Sequence, residues 1–356
     1  MEISSQKQIG GDNSTLVQGT NITIGVSVQD VVEIFKIQFK NLLPELYNIA
    51  ENKAKERLSQ FEDIFYSKLE KLEKFEDAFT EPYLQYLIRD TQRSVICCNN
   101  ENSYEVLSNL LIDSINNIKQ GENNILIKQA IKVVGELDLV SLLFITNLYI
   151  IENTFPTSID YKTGIKNYCT AFEPFILTQP VENALLDSLE LLDLIKYDYF
   201  YSKKDFYEYF YDQFDGYFKL GIQKSHANYE KALNLLSSIN LVDNIFIDNP
   251  FYPEYSKISL ITSRGIKELM VFADEQKQTT RIINNDEVKI IKQIYELYNN
   301  DDEHKKKEML ELIKTEFSKY PIMEKVKSIW DSYTTNCYLS SLGVLIGKNN
   351  FHNKFN

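Results

Sequence analysis

The chain has 356 residues, with 51 Asp and Glu against 38 Lys and Arg and a formal net charge of −13. That balance presents a like-signed surface to nucleic acid and to anionic lipid, so nucleic acid is not an expected partner. Charged residues at 25% and hydrophobic ones at 44% suit a folded chain rather than a disordered one, and the length exceeds the roughly 250–300 residues at which one core stops growing, so more than one subdomain is expected.

The start "MEISSQKQIGGDNS" lacks the basic, apolar and small-residue sections of a secretory leader, which predicts a cytoplasmic protein. The stretch "GGDNSTLVQGTNITIG" holds four of the twelve glycines and alternates polar with apolar residues on either side of Gln18-Gly19-Thr20. Leu16 lies on one predicted strand and Ile22 and Ile24 on the other, closed by Gly25, which is hairpin or β-arc chemistry. Two strands alone are marginal in water, so this arm, residues 1–27, is expected to meet either its own domain or another copy.

A helical region follows over residues 28–80. Val32, Leu42 and Leu43 belong to an apolar face that reaches Pro44, where a kink or a new helix start is expected. From Glu45 the pattern stays helical to about Ala78, and Leu58, Phe65, Leu72 and Phe79 recur at heptad spacing. Two readings stand side by side: a solvated helix laid over its own core, or a self-associating coiled coil.

Residues 81–175 read as a helical domain, with a helix opened by Thr80-Glu81-Pro82 and closed by "ICCNNENS", and further helices at 104–118, 125–134 and 139–151. The apolar run "LDLVSLLFITNLYII" is shorter than the roughly 20 residues of a membrane span and reads as a buried helix. Residues 176–275 contain the tyrosine- and phenylalanine-rich "YDYFYSKKDFYEYFYDQFDGYF", whose interleaved charges are mostly acidic, so packing is preferred to base stacking. A helix over 228–239, short strands at 244–247 and 257–261, and a helix from Thr262 through Phe272 then give a winged-helix-like outline. Helices at 287–297, 304–317 and 322–339 close the chain in the region 276–356. The apolar tail at Leu345 and Ile346 is expected to dock or to pair.

Motifs that carry chemistry are missing. The sequence has no phosphate-cradling glycine loop of either common type, no H-E-x-x-H and no G-x-S-x-G. His226, His304 and His352 fall in unrelated segments, and Cys97, Cys98, Cys169 and Cys337 do not space as a zinc set. No catalytic residue, metal or cofactor is therefore assigned. Thr262, Ser263 and Arg264 open a helix where an anion could sit, although simple capping explains them.

At both ends the chain resembles an uncharacterised family of bacterial proteins. The first match is "GGDNSTLVQGTNITIGVSVQDVVEI", and the second is "LSSLGVLIGKNN", which differs from the family's ending at Ser340, Leu342 and Lys348. Between them "FTEPYLQYLIRDTQRSV" is similar to a patterned family helix. More distantly, "ELDLVSLLFI" and "SLITSRGIKEL" resemble proteins of the abortive-infection alpha group, with Ile261 inserted in the latter. The resemblance implies a role in bacterial antiphage defence and carries no catalytic residues with it.

The expectation is a mainly α, multi-helix protein with an N-terminal β arm and a winged-helix-like subdomain. Its expected function is that of a non-enzymatic, self-associating sensor or scaffold, a homo-oligomer triggered by a phage or host protein. Contacts between copies are expected at Leu16, Gln18, Gly19, Ile22, Ile24, Gly25, Leu58, Phe65, Leu72, Leu345 and Ile346. The alternatives are an effector that engages membrane on activation, and a nuclease or other enzyme whose site carries no motif.

Overall fold

The computed structural model describes residues 28–73, 75–98, 100–120, 125–177, 181–241, 245–272, 279–298, 302–332 and 335–354. The fold is mainly helical, as the periodicity predicts. The β arm expected at 1–27 lies outside the described residues. The chain divides into two compact units, Met1–Glu56 and Arg57–Asn356.

Helix α1, Val28–Leu69, runs through Pro44 without the new start expected there. Proline removes the N–H that would bond the carbonyl of residue 40, but Lys40 and Pro44 are both exposed, so water can take that carbonyl. The helix stops at Leu69 rather than near Ala78. Lys71 and Leu72 close it with bonds to Lys68 and Leu69 three residues back, and a short α2, Glu76–Phe79, takes up the same apolar period.

In the larger unit, α3 (Pro82–Cys97), α4 (Glu101–Gln120) and α5 (Ile125–Val134) pack together beside α6, Leu139–Asn153. Asp138 caps α6 by accepting from the Ser141 N–H at 2.7 Å, and Leu142 and the residues from Phe144 to Ile151 are buried. After α7, Tyr161–Thr170, and α8, Asn183–Leu191, strand β1 spans Ile195–Ser202 and is followed by α9, Phe206–Gln213, and α10, Asp215–Phe218. Phe206, Phe210, Phe214 and Phe218 recur every four residues and are almost fully buried, so the helical half of the aromatic stretch is packing. The strand half differs: Phe200 is 95% exposed.

A second apolar cluster lies in residues 222–294. There β2 (Ile222–Gln223), β4 (Tyr255–Ile258) and β3 (Phe246–Asp248) form an antiparallel sheet in the order β2-β4-β3, with α11 at Ala227–Ser238. The helix expected from Thr262 to Phe272 does not form. Thr262 does cap, but only a 3-10 turn, Ser263–Glu268; Met270–Phe272 then extends as β5 and pairs with β6, Thr280–Ile282. Met270-Val271-Phe272 suits a pleated strand better than a helix, and β6 supplies its partner. The structure thus has a helix beside a three-stranded sheet, without the closing helix of the predicted outline.

The C-terminal region contains α12 (Asn285–Glu296), α13 (Glu303–Phe317) and α14 (Pro321–Asp331). The helix expected to reach Leu339 ends at Asp331, and Thr335–Leu339 forms β7, antiparallel to β1 with Ile195 opposite Leu339. Helix α15, Ser341–His352, then docks on α6. Gly343 and Gly347 lie one turn apart on the docking face: a Cβ at Gly343 would stand 2.1 Å from the Leu194 carbonyl oxygen, and one at Gly347 would stand 2.7 Å from Tyr149 Cβ. Asn350 donates to the Thr146 hydroxyl at 2.7 Å inside this contact.

Gly343→Ala must push α15 off the Leu194 backbone, so thermal unfolding should show a loss of about 3 kcal/mol or more. Gly265→Ala is the control. Its nearest neighbour would be at 3.9 Å, and the change should stay within about 0.5 kcal/mol.

Candidate functional site

The residues expected to join copies fall in three places. Leu16, Gln18, Gly19, Ile22, Ile24 and Gly25 lie outside the described residues. Leu58, Phe65 and Leu72 face the chain's own core: Phe65 is buried and stacks on Phe61 at 5.9 Å, and Leu58 and Leu72 pack against the same cluster. Lys68 fixes this end of α1 by donating to Asn109 Oδ1 at 2.7 Å and pairing with Glu105. Within Arg57–Leu69, therefore, the heptad packs onto the protein itself. Ile346 is fully buried in α15 and Leu345 is half-buried against the same core, so lipid could reach Ile346 only if α15 moved away from α6. Among the described residues, no helix is long and apolar enough to cross a membrane.

Among the described residues, one run of exposed apolar side chains lies on the earlier part of α1, within the unit that ends at Glu56. Val32, Leu42, Leu43, Leu46 and Ile49 are each about half exposed, and Tyr47 is 72% exposed. At about 100° per residue, the first five fall within about 120° of the helix circumference. That is the width of a stripe built to be covered. Such side chains usually bury most of their surface in a folded protein, so Leu42, Leu43, Leu46 and Ile49 leave more apolar surface open than packing alone would. The sequence places Val32, Leu42 and Leu43 on an apolar face, and periodicity alone does not say which part of a long apolar face is buried.

The ionisable groups are arranged for packing. Burial raises the Cys98 thiol to about 11 and the Cys337 thiol to about 12, and it raises Cys169 further, so these three stay protonated. His226 caps α11, its Nδ1 accepting from the Asn228 N–H at 3.1 Å. The anion site considered at Ser263 is filled from within: Asp215 Oδ1 accepts the Ser263 N–H at 2.7 Å. Lys257 is buried in β4, donates to the Tyr217 carbonyl at 2.6 Å and is lowered to about 7 by that burial, with Asp215 opposing. Among the described residues no group of three or more His, Cys, Asp or Glu side chains comes together as a metal site.

Glu152 gives the acid-to-neutral range its pH response. It sits near the end of α6, where its Oε2 accepts the Leu339 N–H at 3.1 Å and so ties the helix to β7. Burial lifts its carboxyl to about 7, and the Leu339 bond partly opposes the rise. Neither Glu152 nor Lys257 stands out in the sequence, because their burial comes from elements made far along the chain.

Residues 25–356 match the model of an uncharacterised family, described only as ":-like", and the chain belongs to that family. No curated protein and no solved structure matches it.

A carboxyl with a raised folded-state pKa favours the fold fully below its unfolded value, and the benefit is lost as pH rises through the folded value. For Glu152 the window runs from 4.5 to about 7. Its ionisation should cost on the order of 3 kcal/mol by neutral pH. Glu152→Gln keeps an acceptor for Leu339 and cannot ionise, so the fall in Tm between about pH 5 and about pH 8 should flatten in the variant. An unchanged slope would show that the carboxyl reaches water.

Proposed function

We infer that the protein is a non-enzymatic, self-associating scaffold or sensor whose copies meet through the early part of α1. The observation that carries this reading is the exposed row Leu42, Leu43, Leu46 and Ile49 on a regular helix. A second copy offers the same row, and two such stripes can close on each other along a common seam. Charge also favours like meeting like. Residues 28–56 contain five carboxylates and four lysines, so this segment is close to neutral in a chain of net charge −13. The glycine-punctuated arm at Gly11–Gly25 comes just before it in sequence and would add a second, strand-based contact.

The resemblance at the two ends supports a setting in bacterial antiphage defence, with a phage or host protein as trigger. Helix α11 with the sheet β2-β4-β3 supports a winged-helix-like module used for packing against protein. Its helix carries Lys231 beside Glu230, which gives a DNA backbone little to hold.

Light scattering of the full chain at two concentrations should give a mass that is a multiple of 41.6 kDa. Leu42→Gln with Leu46→Gln should weaken association about 100-fold, since each leucine covered contributes about 1.5 kcal/mol or more. A version lacking residues 1–26 separates the arm's share from the helix's. A full chain that is monomeric at both concentrations would remove the reading.

A further inference from the structure

Helices α3 and α5 lie side by side and run the same way. Lys128 Nζ stands 4.7 Å from the Tyr86 ring at one end, and at the other Gly135, just past α5, sits so close to Ser94 that a Cβ there would meet Ser94 Cβ at 2.8 Å. The helices are thus tight near Ser94 and open toward Tyr86 and Ile125. Between them is a groove of about 640 Å³. Tyr86, Asp90 and Arg93 line it from α3, and Ile125, Lys128 and Lys132 from α5. The volume is that of a small-molecule site.

The charge of this groove is out of character with the chain. Apart from Asp90, every charged residue on α3 and α5 is a cation: Arg89, Arg93, Lys128 and Lys132. Arg89 and Arg93 are one helical turn apart, and so are Lys128 and Lys132. Like charges at that spacing oppose helix formation. Asp90 reaches Arg93 at only 3.6 Å, with Arg93 71% exposed, which offsets little of the repulsion. Packing does not require these cations, because all four side chains are exposed. Tyr86 and Ile125, both partly open to water, give the same groove an aromatic and aliphatic floor.

We propose that the groove between α3 and α5 binds a nucleotide-sized phosphate ester, its phosphates held by Arg93, Lys128 and Lys132 and its ring against Tyr86 and Ile125. Several cations facing one cleft suit a multiply charged phosphate better than a single carboxylate. The aromatic floor selects a ligand with a flat or apolar part, which bare phosphate lacks. A nucleic-acid strand or an anionic membrane would extend beyond the groove onto a chain of net charge −13, whereas a small ligand need not.

The test is calorimetric titration of the full chain with each of the four common ribonucleoside triphosphates and with inorganic triphosphate. At least one nucleotide should bind saturably below about 1 mM and more tightly than inorganic triphosphate. Lys128→Gln with Lys132→Gln, both exposed and both replaced by a good helix former, should weaken that binding at least about tenfold without changing the circular dichroism spectrum. Tyr86→Ala should weaken the nucleotide and leave inorganic triphosphate unchanged. The proposal is overturned if no nucleotide saturates, if the double variant binds as well as the parent, or if inorganic triphosphate binds as tightly as every nucleotide. Binding to phosphatidylserine vesicles with none to soluble nucleotides would also overturn it, assigning the cations to a lipid surface.

Discussion

The approach of α15 to α6 governs the larger unit. Two missing side chains, at Gly343 and Gly347, allow one helix to lie against the Leu194 carbonyl and the Tyr149 side chain at distances no other residue could permit. Other contacts depend on that closeness. The Ser340 N–H reaches the Leu194 oxygen at 3.0 Å, Asn350 finds the Thr146 hydroxyl, and β7 is held in register along β1. The bond from Leu339 to Glu152 sits where helix, strand and helix meet, which is why a carboxyl can be withdrawn from water there at all.

Charge is distributed as unevenly as packing. The net charge of −13 describes neither the early part of α1, which is almost neutral, nor α3 and α5, which are basic. An acidic surface keeps copies and polyanions apart in general. Against it, a neutral apolar stripe and a small cationic groove are the places where approach is least opposed. Composition alone would have averaged both away.

Much of the helical content could be read from the sequence because apolar period and capping residues agree. The apolar period marks α5 and α6 directly, and the structure adds caps that the period alone does not show, Asp138 before α6 and the Asn284–Glu287 capping box at α12. Local pattern misleads where pairing with another strand decides. Residues 335–339 follow a helical pattern and become a strand because β1, made about 140 residues earlier, offers an edge. Residues 270–272 pair with 280–282 close by in the chain, where Met270-Val271-Phe272 suits a pleated strand better than a helix. The heptad from Leu58 to Leu72 marks an apolar face correctly, but a heptad does not say whether that face meets its own core or another chain. Likewise, the cations of α3 and α5 lie about 35 residues apart in sequence, and only their parallel packing makes them one feature.

The order in which these pieces are made has a consequence for biogenesis. Helix α6 ends at Asn153 and the helix that covers it starts at Ser341, so 187 residues separate the two. At translation rates of roughly 5–20 residues per second, α6 waits about 10–40 seconds for its cover. During that interval one of the chain's most apolar segments must be kept from aggregating by transient local packing or by a chaperone. Late, non-local closure of this kind also slows spontaneous refolding. Recovery of the folded protein in a cell is thus governed by how its nascent chain is handled as much as by how stable the finished fold is.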